Sequence, residues 1–303
     1  MKKIGVITNY DRDTTFAYTK LLGDSIVKHG GRPVLTDELS QKACVGGSCG
    51  EEEDVFQQSD LVVCLGGDGT FLKVAKKVYK KGLPILGINL GNLGFLTEVD
   101  RHDIDKAMDQ LFENNYEIEE RMMLEAVIHR NGKETVRDIA LNDAVITRGA
   151  ISRIIHVKAY VNDVFVDMFP GDGLIVSSPT GSTAYSLSAG GPIAEPDTDV
   201  IIITPICPHI LYSRSFITKA GSVVKAVVDE DIRHNAIVAL DGQEGHEIKG
   251  GDMVEIKKSP YTTKLVRMNT RNFFNILRTK IYFRGESLKK DEVQQACENT
   301  GAD

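Results

Sequence analysis

Apolar residues recur along this chain in two rhythms. Ile4 to Thr8 is a short run of buried-strand type, and Thr15 to His29 sets Phe16, Leu21, Leu22, Ile26 and Val27 at amphipathic-helix spacing before Gly30-Gly31. Leu61 to Leu65 is a second buried-type run; a glycine turn follows it, and Phe71, Leu72, Ala75 and Val78 mark the next helix. Pro84 to Ile88 reads as a third strand and Ile104 to Phe112 as another helix. Strand and helix in alternation predict a parallel sheet covered by helices. Residues 36–55 show no period and read as a surface loop.

From about Tyr116 the runs become short and rich in β-branched residues: Leu124 to His129, Thr135 to Ile139, Ala144 to Thr147, Ile154 to Val161 and Val164 to Phe169. Asn131-Gly132 and Asn162-Asp163 fall between them as hairpin turns. Further strands are expected at Leu174 to Ser177, Val200 to Thr204, Val223 to Val228, Ala236 to Leu240, Met253 to Lys257 and Lys264 to Met268. The expected fold class is therefore an α/β N-terminal domain with a parallel sheet, residues 1–115, plus an all-β C-terminal domain, antiparallel, residues 116–270. A helix over about 271–285, with Phe273, Phe274, Ile276 and Leu277 on one face, is expected to return to the first domain. The polar stretch from Glu286 is expected to fray.

Composition narrows the function classes. The 303 residues are 42% hydrophobic and 26% charged, which excludes a largely disordered chain. A net charge of −7 argues against a surface built for nucleic acid or anionic lipid, so a phosphate-bearing substrate needs a local site. No apolar run approaches the ~20 residues of a membrane span, and the default compartment is the cytoplasm. Cys44, Cys49, Cys64, Cys207 and Cys297 have neither disulfide-framework nor zinc-site spacing, so no metal site is expected.

The chemistry concentrates in glycine-rich turns. Gly66-Gly67-Asp68-Gly69-Thr70 follows the second strand and opens a helix, a turn in which successive N–H groups face one anion beside the positive end of the helix dipole. Gly66, Gly67, Gly69 and Thr70 suit a phosphate loop; Asp68 does not, because its charge repels phosphate. A carboxylate there is better explained as a base, a metal ligand or a hydroxyl-orienting group beside a reacting phosphate. Neither GxxxxGK[ST] nor GxGxxG occurs, so the two commonest nucleotide fingerprints are absent. The loop Gly87 to Leu96 follows the next strand, and loops after successive parallel strands open on one sheet edge, so it and the GGDGT turn can line one crevice. Asn142-Asp143 is either an ordinary turn dipeptide or a pair that hydrogen-bonds sugar hydroxyls or a base edge. The segment Gly171 to Pro192 runs from a strand through Pro-Thr-Gly-Ser-Thr into a short helix with hydroxylic first residues, and its Tyr185 is a ring available for stacking on a base.

At these residues the chain resembles the NAD kinase family. The resemblance rests on GGDGT at 66–70, the GINLGNLGFL loop, LND at 141–143, GDGLIVSSPTGSTAYSLSAGGPI at 171–193, PICPH at 205–209 and LDGQ at 240–243. GGDGT is shared with diacylglycerol and sphingosine kinases and phosphofructokinases; the GDGL to AGGP block is much more specific. The resemblance implies a Rossmann-like, phosphofructokinase-like first domain, a β second domain, a homodimer or homotetramer, and transfer of the terminal phosphoryl of ATP to the 2′-hydroxyl of the adenosine ribose of NAD. By position it makes Asp68 the catalytic base. Asp68, Gly69, Lys73, Asn142, Asp143, Arg153, Asp172, Thr183, Ala184, Tyr185, Ser188 and Gln243 become the dinucleotide contacts. Mg²⁺ or another divalent ion is expected to arrive with ATP rather than in a protein cage. Pro170 stands where some members carry a basic residue, and Ile210 where many carry a small hydroxyl residue, so His209 is given no role. Two alternatives stay open: a lipid kinase of the same superfamily, though no basic amphipathic helix appears, and a non-catalytic dinucleotide sensor, against which the intact GGDGT argues.

Overall fold

Strand Leu61–Gly66 is buried along its whole length, as a strand covered on both faces by helices must be. The computed structural model that contains it describes residues 1–91, 94–149, 154–229, 236–268 and 272–282. In chain order its first elements are β1 (Lys3–Thr8), α1 (Ala17–Lys28), β2 (Arg32–Val34), α2 (Asp37–Ala43), α3 (Glu52–Gln58), β3 (Leu61–Gly66), α4 (Asp68–Val78), β4 (Ile85–Asn89), β5 (Val99–Asp100) and α5 (Ile104–Phe112). Strands β2, β1, β3 and β4 pair in that order, all parallel. One face packs Val63, Leu65 and Leu86 against Leu22 and Ile26 of α1 and Met108 of α5. The other packs Val62 and Cys64 against Phe56 of α3 and Phe71 and Ala75 of α4.

The expected loop over 36–55 is instead largely helical, in α2 and α3. Each has seven residues and buries only Leu39 and Ala43, or Val55 and Phe56, too few positions to display a period. Local chemistry starts them: the Thr36 hydroxyl accepts the Leu39 N–H at 3.2 Å, and acidic residues fill both first turns.

The second half holds β6 (Glu117–Arg130), β7 (Lys133–Ala140), β8 (Asp143–Arg148), β9 (Ile155–Val161), β10 (Val164–Gly171), β11 (Gly173–Ser177), a 3₁₀ turn at Thr180–Thr183, α6 (Tyr185–Ser188), β12 (Val200–Ile206), β13 (Phe216–Lys219), β14 (Val224–Val228), β15 (Ala236–Leu240), β16 (Gly245–Ile248), β17 (Met253–Arg267) and α7 (Phe273–Tyr282). Both expected hairpin turns form, with φ of 52° and 74° at Asn131-Gly132 and 50° and 65° at Asn162-Asp163. Strands β13, β12, β11, β8, β15 and β16 make one antiparallel sheet. It packs Ile146, Leu174, Ile203 and Val238 against Leu124 of β6, Val157 of β9 and Val254 of β17, so the core of this half lies between two sheets.

The two runs expected at 253–257 and 264–268 are one 15-residue strand, β17. Its register against β6 shifts between Lys258 and Thr262, around Pro260, which has no N–H to give the ladder. Through β17 the parallel and antiparallel halves share one sheet: it is antiparallel to β14 and β6 and, at Leu265, parallel to β4. Helix α7 sets Phe273 6.2 Å from Phe95 between ring centroids and buries Ile276. The buried face is narrower than expected, since Phe274 points outward.

A buried ionic chain fastens the end of β17. Arg267 donates to Glu98 at 2.8 Å and to Glu119, while the Met268 N–H donates to Glu98 at 3.1 Å. Arg267→Met would remove the cation from beside a Glu98 side chain that is 1% exposed and from beside Glu119, and is expected to lower the unfolding free energy by ~3–5 kcal/mol. Urea titration reads this directly; a loss below about 1 kcal/mol would mean the chain is solvated.

Candidate phosphoryl-transfer site

Asp68 is the first residue of α4, beyond a buried strand that ends at Gly66. Its carboxylate accepts two backbone hydrogen bonds from the neighbouring loop, Phe95 N–H to Oδ2 at 2.9 Å and Leu96 N–H to Oδ1 at 3.0 Å. The GGDGT turn and the loop after β4 therefore do meet at one crevice. Gly94 is required there because a Cβ would collide with that carboxylate. Asp68 keeps 31% of its side chain exposed, so one edge of the carboxylate faces solvent. In the turn, the Gly67 carbonyl accepts the Thr70 and Phe71 N–H groups, Gly66 lies against Thr70, and the Arg12 guanidinium lies over Gly67 and Gly91.

A second carboxylate organises the Leu141-Asn142-Asp143 corner. Asp241 accepts the N–H groups of Leu141, Asn142 and Asp143 at 2.8, 2.7 and 3.2 Å, and its own N–H returns to the Asp143 carbonyl at 3.0 Å. Burial pushes the Asp241 carboxyl above its ordinary range, although those three N–H groups and Lys76 pull the other way. Asp143 is 3% exposed, and burial together with the neighbouring Asp241 charge pushes its carboxyl up to about 7.

The turn after β11 is stitched to the same corner. The Ser178 hydroxyl donates to the Leu141 carbonyl at 2.5 Å, and its N–H donates to Asn142 O at 2.8 Å. A Cβ at Gly181 would strike the Asn142 carbonyl, so the Pro-Thr-Gly turn needs its glycine for this approach. The hydroxyls of this segment are spent largely inside the protein: Ser182 bonds Ala194, Ser186 bonds Thr204, and Thr183 donates to Thr180 O. They lie where the backbone turns under cover, and buried polar groups must be paired. Tyr185 is 46% exposed and so is not a core ring.

The other sequence-identified residues are placed as follows. Gly69 and Lys73 are exposed on α4, and Ser188 is exposed at the end of α6. Ala184 is half-buried between the 3₁₀ turn and α6. Asp172 pairs with Arg148 at 3.2 Å. Gln243 has a buried Nε2 without a partner among the described residues. Arg153 lies outside the described residues. A cavity of about 460 Å³ lies beside these turns, lined in part by Phe95, Phe273 and Ile276 and by Thr180 and Thr183. Among the described residues no cluster of three His, Cys, Asp or Glu side chains could hold a metal ion.

Two residues of the site escaped the sequence reading. Asp241 stands inside the quoted LDGQ block, but nothing local marks it as the acceptor for a corner 98 to 100 residues earlier. Lys280 lies 3.9 Å from Asp68 Oδ2, with its ammonium 4.4 Å from the Phe95 ring centroid, and belongs to the last described helix.

Known proteins agree with this architecture. Residues 48–116 match the family described as "ATP-NAD kinase N-terminal domain", and residues 141–268 match "ATP-NAD kinase C-terminal domain". An NAD kinase of Acetivibrio thermocellus is 56% identical over 289 residues, 95% of this chain and 100% of that protein. One from Ruminiclostridium cellulolyticum is 51% identical over 94% of this chain and 100% of its own. Among solved structures, a yeast NADH kinase complexed with NADH superposes with a TM-score of 0.86 at 21% identity, covering 96% of this chain and 90% of that one, a likeness of fold. An NAD kinase from Archaeoglobus fulgidus in complex with ATP gives 0.73 at 25% identity, covering 92% and 98%.

Asp143 makes stability depend on pH. Its folded carboxyl, near 7, titrates above its unfolded value, so its contribution is fully present below about pH 4 and is lost as pH rises through about 7. Asp143→Asn is expected to gain on the parent between about pH 5 and about pH 8 in thermal melts. An unchanged difference between the two pH values would remove Asp143 as the source.

Proposed function

The chain belongs to the NAD kinase family, and from that premise we infer that it phosphorylates NAD with ATP, placing the terminal phosphoryl on the 2′-hydroxyl of the adenosine ribose to give NADP. The observation that carries the chemical reading is the Asp68 carboxylate, fixed by the N–H groups of Phe95 and Leu96 at the start of α4 while one edge faces the crevice.

Those two N–H groups orient the carboxylate without consuming its outward lone pairs. Asp68 holds the 2′-hydroxyl there, aims its oxygen in line at the terminal phosphorus, and takes the proton late in the transfer. Phosphoryl transfer has a loose transition state, so positioning and charge neutralisation supply most of the acceleration. ATP enters as its complex with Mg²⁺ or another divalent ion, a substrate whose charge is partly balanced before it arrives. The Gly66-Gly67-Asp68-Gly69-Thr70 turn receives its phosphates beside the N-terminus of α4. On the other side, exposed Tyr185 stacks on a base. Asn142 and Asp143, held by Asp241, receive polar groups of ribose or adenine. Lys73, Arg153, Asp172, Thr183, Ala184, Ser188 and Gln243 complete the dinucleotide contacts by family position.

The lipid-kinase and sensor alternatives give way to the family assignment. Self-association as a dimer or tetramer is supported by exposed apolar residues: Val164 and Phe165 on the edge strand β10, and Leu211 and Tyr212 after β12. No helix of the described residues is long and apolar enough to cross a membrane.

Asp68→Asn keeps the hydrogen-bonding shape and removes the proton acceptor. Turnover is expected to fall by ~10²–10⁴ while ATP affinity holds or improves, since a carboxylate beside phosphates repels them. Steady-state kinetics with NAD and Mg–ATP, with ATP titrated separately, measure both; near-native turnover at saturation would sink the assignment.

A further inference from the structure

We propose that Lys280 is a catalytic residue of this kinase, its ammonium contacting the oxygens of the phosphoryl group during transfer. The proposal rests on the reading of Asp68 given above.

Helix α7 brings the lysine to the spot by its spacing. Phe273 packs on Phe95 and Ile276 is buried, and Lys280 follows them by seven and four positions, which puts all three on one stripe of the helix. The ammonium stands 4.4 Å from the Phe95 ring centroid and 3.9 Å from Asp68 Oδ2. At 3.9 Å it is not what holds the carboxylate, whose two oxygens are already bound by the Phe95 and Leu96 N–H groups. It is a positive charge parked beside the atom that receives the hydroxyl proton.

A hydroxyl held by Asp68 lies ~2.8 Å from Oδ2, and the phosphorus it attacks lies ~3–3.5 Å further on. A rotation of the four-carbon lysine stem carries the ammonium from the carboxylate to the oxygens of that phosphoryl group. In the step, the ribose oxygen bonds to the terminal phosphorus and the bond from that phosphorus to the β,γ-bridging oxygen breaks. The electron pair leaves with ADP, and the proton passes to Asp68. Charge spreads over three phosphoryl oxygens as this happens, in a protein whose net charge is −7. A compact ammonium suits oxygens that move during the reaction, whereas a guanidinium fork would prefer one fixed geometry. Before ATP binds, the same charge offsets the repulsion between Asp68 and the incoming phosphates.

Lys280→Met removes the charge and keeps the stem over Phe95. It is expected to lower kcat by about 100-fold, with NAD affinity within about twofold of the parent and unchanged thermal stability. Lys280→Arg should recover part of the rate. Lys280→Ala should be rescued by added ethylammonium, saturably, a response that a purely structural contact would not give. Lys280→Met within about threefold of parental kcat would overturn the proposal, as would a rate loss that tracks a lowered melting temperature and resists amine rescue. Asp68→Asn, assayed in parallel, separates the two claims. An active Asp68→Asn defeats the reading of Asp68, whereas an inert Asp68→Asn beside a fully active Lys280→Met defeats only that of Lys280.

Discussion

A chain of alternating charges runs beneath the site: Glu98 to Arg267, Arg267 to Glu119, Glu119 to Arg121, and Arg121 to the Thr180 hydroxyl. Its ends lie beside the two halves of the candidate site. Glu98 follows the loop that fixes Asp68, and Thr180 opens the turn that packs on Asn142. Burial pushes the Glu119 carboxyl up, but Arg121 and Arg267 more than reverse it, so it titrates below its ordinary range and stays charged. An apolar filling of equal volume would stabilise as well or better, but would not fix the two turns in one register. In-line transfer between two substrates tolerates little misplacement, and a directional ionic chain transmits position more faithfully than apolar contact.

One device recurs across the site: a carboxylate pinned by consecutive backbone N–H groups. Asp68 is held by Phe95 and Leu96, and Asp241 by Leu141, Asn142 and Asp143. The first presents a negative charge to the crevice, and the second shapes a corner by binding its backbone. Backbone donors cannot rotate away as a lysine or serine can, so each carboxylate is set before any ligand binds. The penalty shows in part at Asp143, whose carboxyl is raised by burial and then by the Asp241 charge.

Much of this was legible in the residues. The alternation of apolar runs located β1, α1, β3, α4, β4 and α5, and Asn-Gly and Asn-Asp marked two hairpins, because period and positive φ are local properties. The meeting of the GGDGT turn with the loop after β4 also followed from local order, since successive parallel strands open on one edge. Helices α2 and α3 were missed because two turns with two buried residues carry no period. The continuity of β17 was hidden by Pro260 and its bulge. In the hydroxylic segment 177–188 burial turns several hydroxyls inward, which the local sequence does not show. What local pattern could not reach were contacts closed across the fold, Asp241 to 141–143 and Lys280 to Asp68, where partners lie about a hundred residues or more apart.

Strand β17 also bears on how this protein comes to exist on the ribosome. At Ile85 the edge of the parallel sheet is met by Leu265, and the loop after β4 is braced by Arg267, both of which are made only after most of the chain has been synthesised. Strand β5 pairs with the end of β4 at once, but the start of β4, at Ile85, waits for a strand from the far side of the β half. Completing one domain before the next begins is disfavoured in such a topology. Its long sequence separations favour slow maturation, and a nascent chain halted before β17 presents an unpaired strand to its neighbours.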